Sequence, residues 1–205
     1  MAERCAMEVF PFLPFVPDKK TVMRRLGSQK ASLPAELSDN IDALLRQAES
    51  AFTARGKAAV FPLEHLDGVH VSIAGAVVES AMLARLLEKS CAAYVMGASI
   101  PARDVDKISE AMRAGEGLKA IVLDAYASEY VDGALDVIIA RKNEALRRTG
   151  QKLTKHRFSA GYGDLDIAYQ KVFYDLLDMR TLDVTINEKY LLSPEKSVIA
   201  IAGVE

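Results

Sequence analysis

Between Leu118 and about Arg148 apolar residues return every three or four positions, which predicts one long helix. Its final stretch, RKNEALRR, reads as a solvated, basic C-terminal end that suits the helix dipole. Shorter runs share the period. Asp18 is placed to cap KKTVMRRL, which stops at Gly27. Ser32 and Pro34 open PAELSDNIDALLRQAESAFTARG, where Leu37, Ile41, Leu44, Leu45, Ala48 and Phe52 recur at helical spacing and Gly56 ends the run. AVVESAMLARLLEKS, the ARDVDKISEAMRAG stretch after Pro101, and DIAYQKVFYDLLDM also read as helices. KAAVFPL, the alternating GVHVSIAG, the apolar CAAYVMGAS and KLTKHRF read as strands, and DVTINEKYLLSPEKSVIAIAGV holds two or three more. This order predicts one mixed α+β domain over residues 1–205, with a loosely structured lead-in over 1–17. Strands crowded at the end of a chain favour a twisted, at least partly antiparallel sheet with flanking helices.

Composition narrows the classes. Half of the 205 residues are hydrophobic and 26% are charged, a balance that builds a globular core without metal or disulfide staples. A net charge of −2 argues against a general electrostatic attraction to nucleic acid. Cys5 and Cys91 share no metal or redox spacing and read as reduced thiols. The EVFPFLPFVP run is broken by prolines and lacks both a basic flank and a cleavage pattern, so it does not read as a signal peptide. No stretch reaches membrane-spanning length. The expectation is a cytoplasmic chain with no membrane and no nucleic-acid partner.

Two stretches carry candidate chemistry. In RFSAGYGDLD (157–166), Gly161 and Gly163 open backbone conformations closed to other residues, and Asp164 or Asp166 can cap the helix that follows. Arg157 offers a planar fork for a carboxylate or phosphate, and Tyr162 a ring face and a hydroxyl. Together they suit a small zwitterion or nucleoside. They equally suit a turn with a surface arginine and a half-buried tyrosine. In the long helix, Glu129, Asp132 and Asp136 fall on one face beside Gly133. That face could accept from an amino group or a ribose hydroxyl, or simply be solvated. His65, His70 and His156 are scattered without metal spacing, and no nucleophile elbow, Walker A or dinucleotide fingerprint occurs.

RFSAGYGD resembles the R-x-[AS]-x-G-Y signature of the S-adenosyl-L-methionine (AdoMet)-binding reactivation domain of cobalamin-dependent methionine synthase, in its stand-alone form. LDAYASEYVDGALD resembles that domain's long helix, and VTINEKYLLSPEKSVIAIAG its closing strands, in the same order. The resemblance is strongest over residues 91–205. It implies the activation-domain fold and an accessory part in a methyltransferase of methionine biosynthesis. It implies that Arg157, Ser159, Ala160, Gly161, Tyr162 and Glu129 hold AdoMet, with no catalytic side chain and no metal ligand. The partners it implies are a cobalamin-binding core methionine synthase, which carries the cobalamin, and an external electron donor. The chemistry would be reductive methylation of cob(II)alamin to methylcobalamin. The alternative is a non-catalytic module that binds AdoMet or a corrinoid protein.

Overall fold

In the computed structural model, which describes residues 6–27 and 34–205, the sheet is organised around the long strand β2 (Arg55–His65). Its first part pairs with β5 (Ala92–Ser99) on one side, from Arg55↔Ser99 to Pro62↔Ala92, and with β1 (Glu8–Phe10) on the other. Its last residues pair with β3 (His70–Ile73), which is followed by β4 (Ala76–Glu79). Beyond β5 lies β8 (Ser197–Val204), giving the order β4-β3-β2-β5-β8 with every pairing antiparallel. The two remaining strands, β6 (Thr185–Ile186) and β7 (Leu192–Ser193), form a separate small ribbon. The expected antiparallel, mixed α+β architecture is the one observed.

Alternation along the central strands creates two cores. Tyr94, Met96 and Ala98 of β5 join one cluster, while Ala93 and Val95 join the other. Over the first face lie α1 (Lys19–Arg25), α2 (Ala35–Ala51), α4 (Ala102–Arg113) and the 30-residue α5 (Gly117–Leu146). Ala125, Ala127 and Ala134 of α5 are buried in the same cluster as Ala98, Ala200 and Ala202 of the sheet. Small residues on both surfaces let the helix backbone come close. The second face carries α3 (Ala81–Leu87) and α6 (Tyr169–Leu176).

Several local readings hold. The Asp18 carboxylate accepts from the Lys20 amide at 2.7 Å and caps α1, and Pro101 precedes α4. Ser32 and Cys5 lie outside the described residues.

Others are corrected. Helix α2 ends at Ala51, and Gly56 belongs to β2. A Cβ on Gly56 would stand 2.7 Å from Leu13 Cδ1 and 2.8 Å from the Gly97 carbonyl, so this glycine serves close packing rather than helix termination. The first residues of AVVESAMLARLLEKS form β4, and the helix starts only after Ser80, whose side chain accepts from the Leu83 amide. Helix α6 is shorter than its apolar pattern, starting at Tyr169. KLTKHRF is not a strand. It meets β8 at two isolated bridges, Leu153↔Val204 and Phe158↔Ile201, because the Thr154 hydroxyl replaces a backbone carbonyl in accepting from the Gly203 amide at 3.0 Å. Lys155 and His156 bulge between the bridges, exposed.

The lead-in is also tied down from Met7 onward rather than loose. Glu8–Phe10 pairs with β2, Leu13 is fully buried, and the Tyr130 hydroxyl donates to the Leu13 carbonyl at 3.1 Å. Phe15 lies over Gly133, where an added Cβ would meet its ring atoms at 2.1–2.4 Å. The space left by Gly133 is therefore filled from within the chain.

Gly133→Ala sets two effects against each other. Helix propensity favours alanine by about 1 kcal/mol, whereas overpacking costs about 1–3 kcal/mol. The substitution should destabilise the protein by about 1 kcal/mol in urea melts. In the Phe15→Ala background the same change should be neutral or stabilising, because the ring it displaces is gone.

Candidate functional site

Helix α5 presents Asp124, Ser128, Asp132 and Asp136 four residues apart, a slowly drifting line along its outer surface. Two basic side chains from elsewhere in the chain grip its members in pairs. Lys196, just before β8, donates to Asp124 at 2.7 Å and to the Ser128 hydroxyl at 3.0 Å. Arg157 spans the next two: Nη2 donates to Asp132 Oδ1 at 2.9 Å and to the Asp132 carbonyl at 3.2 Å, and Nη1 donates to Asp136 Oδ1. Burial alone would pull the guanidinium down, but hydrogen bonding and charge from Asp132, then from Asp136, outweigh it and hold its pKa above the ordinary arginine value. Arg157 is thus a fixed cation with about a quarter of its side chain exposed.

Downstream of Arg157 the chain rounds the edge of the sheet. Ala160 is buried in the second core, while Tyr162 is 69% exposed. Between them the turn bonds to itself: the Gly161 amide donates to the Leu165 carbonyl at 2.8 Å, and the Tyr162 amide to the Ser159 carbonyl at 3.3 Å. Gly161 (φ 87°) and Gly163 (φ 56°) both sit in the left-handed region, where a side chain is strained. A Cβ on Gly163 would also stand 2.6 Å from Met82 Sδ.

The two aspartates expected to cap the next helix divide their work. Asp166 accepts from the Ala168 amide at 2.7 Å and fixes the turn into α6. Asp164 reaches across to α3, accepting from the Ser80 hydroxyl and from the Met82 amide at 3.2 Å. Beside this contact is an open cavity of about 540 Å³ lined by Glu79, Ser80, Asp164, Asp166 and Tyr169. So RFSAGYGDLD is a strap over the sheet edge, with Arg157 drawn to α5 and Asp164 to α3.

The acidic face read from the sequence is split. Asp132 and Asp136 meet Arg157, whereas the Glu129 carboxylate accepts from Arg25 Nε of α1 at 2.8 Å. Glu129 makes no hydrogen bond to the 157–162 segment. Arg25 and Lys196 were missed as partners of this face. The four-residue repeat of Asp124, Ser128, Asp132 and Asp136 was the available signal for a surface that other elements grip. His70 Nδ1 pairs with Asp67 at 2.9 Å, and the Cys91 thiol is exposed. Among the described residues, no group of three His, Cys, Asp or Glu side chains is arranged to hold a metal, and no helix is long and apolar enough to cross a membrane.

Among solved structures, the chain is similar to the crystal structure of the MetH reactivation domain bound to AdoHcy. The TM-score is 0.65 at 13% sequence identity, over 89% of this chain and 72% of that one. At that identity the likeness is one of fold, an antiparallel sheet with flanking helices. No family model matches the chain, and no curated protein matches it.

Asp164 supplies a pH-dependent tie between the strap and α3. The hydrogen bond from Ser80, followed by those from the amides of Met82 and Ala81, lowers its pKa from 3.8. A carboxylate depressed by folding contributes stability that is fully present above its unfolded value and is lost as pH falls through the lower folded one. Asp164→Asn should therefore lower the urea midpoint at about pH 7, and its difference from wild type should shrink at about pH 3. A difference that stays constant across that range would remove the charge from the explanation.

Proposed function

We propose that the chain is an AdoMet-binding reactivation subunit for a corrinoid methionine synthase, supporting reductive methylation of cob(II)alamin to methylcobalamin on a cobalamin-bearing partner. The observation that carries this reading is Arg157, fixed and charged at the head of a double-glycine turn that exposes Tyr162, on a fold like that of the MetH reactivation domain. The three sequence stretches resembling the methionine synthase reactivation domain, in the same order, support it.

The side chains fit such a ligand. A guanidinium held against partly exposed carboxylates offers both signs of charge to a zwitterion. The exposed Tyr162 ring offers a flat apolar surface to a purine. Arg157 would grip the methionyl carboxylate, Ser159, Ala160, Gly161 and Tyr162 would border the nucleoside, and Glu129 would accept from the amino group or a ribose hydroxyl. AdoMet supplies an activated sulfonium methyl, and the electron comes from an external donor. The chain itself needs no acid, base or nucleophile for this. Its contribution is to hold one reactant in line with another, and orientation alone can remove much of a barrier.

A second reading is a non-catalytic module that binds AdoMet or a corrinoid protein, and its corrinoid-protein form is favoured by one observation: Arg157 and Glu129 already have partners within the chain. Formation of methylcobalamin from a cob(II)alamin-bearing synthase core, reductant and AdoMet, with and without this chain, separates the two. Dependence on the chain supports reactivation, and tight binding without turnover supports the module.

In calorimetric titration with AdoMet, with and without the synthase core, Arg157→Lys should weaken binding about tenfold or more, since lysine cannot form two parallel bonds to a carboxylate. The circular dichroism should be unchanged. Glu129→Gln should weaken it about threefold to tenfold, a modest loss because Glu129 is partly exposed. Wild-type affinity in both variants would return these side chains to a structural role.

A further inference from the structure

The carboxylates that hold Arg157 have a consequence for what can bind there. Asp132 and Asp136 engage both terminal nitrogens of its fork, so two anions surround one cation. Both aspartate side chains are more than half exposed, which leaves the cluster open to a ligand from solvent. The other charges on this stretch of α5 are committed elsewhere, Glu129 to Arg25 and Asp124 to Lys196.

A ligand bearing only a carboxylate would bring a third anion to one cation. It must either displace an aspartate, leaving that charge without its partner, or share the guanidinium against like-charge repulsion. An α-amino acid brings its own replacement cation. Its ammonium can take the place of the guanidinium opposite an aspartate while its carboxylate takes the place of that aspartate opposite Arg157. Ion pairs are then exchanged rather than lost.

We infer that Asp132 and Asp136 form a charge gate at Arg157 that admits α-amino-acid zwitterions and turns away carboxylates lacking the amine. The inference rests on the AdoMet reading above and deepens it by assigning selectivity to two residues outside the double-glycine turn. It also makes the resting state self-occupied. The site is held closed by its own aspartates until a ligand of matching charge pattern opens it.

The test is calorimetric titration of AdoMet, AdoHcy and the AdoHcy analogue with hydrogen in place of the amino group. The proteins are wild type, Asp136→Asn and Asp132→Asn, each exposed substitution preserving shape. Wild type should prefer AdoHcy over the amino-less analogue by about tenfold, and each variant should cut that preference by about threefold to fivefold, chiefly by binding the analogue better. Binding of AdoHcy with the same preference in wild type and both variants overturns the gate and leaves the AdoMet reading standing. Absence of AdoMet and AdoHcy binding in every form overturns both.

Discussion

The close seating of α5 on the sheet is the contact on which the rest of the molecule depends. A 30-residue helix, roughly 45 Å long, is packed by alanines against alanines of β5 and β8. Apolar burial of this kind is the main favourable term in folding, and small residues on both surfaces let it proceed with the backbones close together. Because α5 lies in place as a rigid rod, its outer surface becomes a rail. The lead-in crosses it at Tyr130 and Gly133, α1 reaches it through Arg25, the chain before β8 through Lys196, and the strap through Arg157. Segments distant in sequence are positioned by one helix.

The charges along that rail do different work from the core beneath them. Partly exposed ion pairs contribute about 0–1 kcal/mol each, so they are poor candidates for holding the fold together. What they supply is direction. Lys196 has only 11% of its side chain exposed and bridges Asp124 and Ser128, which orients the start of β8 relative to the helix. Arg157 does the same for the head of the strap, at the middle of the helix. Such contacts are exchangeable at low cost, a property that suits a surface where ligand groups replace protein groups.

Legibility in the sequence followed the range of the interactions. Helix α5 and strands β5 and β8 were readable because long apolar runs with a clear period report burial directly. The Gly56 and KLTKHRF readings failed for different reasons. Gly56 answers to Leu13 and Gly97, contacts invisible to any local pattern. In KLTKHRF the residue types suit a strand, but the Thr154 hydroxyl takes over a backbone role and the ladder breaks. AVVE was absorbed into the helix after it because both stretches are apolar, and only the Ser80 cap divides them. At the site, Arg157 and the acidic helix face were visible as chemistry. Their pairing was not, since nothing local says that residue 157 returns to residues 132 and 136. Glu129 was grouped with its neighbours by helical geometry, and α1, more than a hundred residues upstream, took it away.

The irregular path from Lys152 to Phe158 covers part of one border of the sheet. Strand β8 ends the sheet, and a bare terminal strand offers a row of amides and carbonyls on which another chain can polymerise. Along the second half of β8 those outward groups are already engaged: Ile201 with Phe158, Gly203 with Thr154, and Glu205 with Lys152. The covering segment cannot itself pass the edge on, because Lys155 and His156 break its extended path. The broken ladder therefore acts as a selvedge, finishing the fabric of the sheet along this one border.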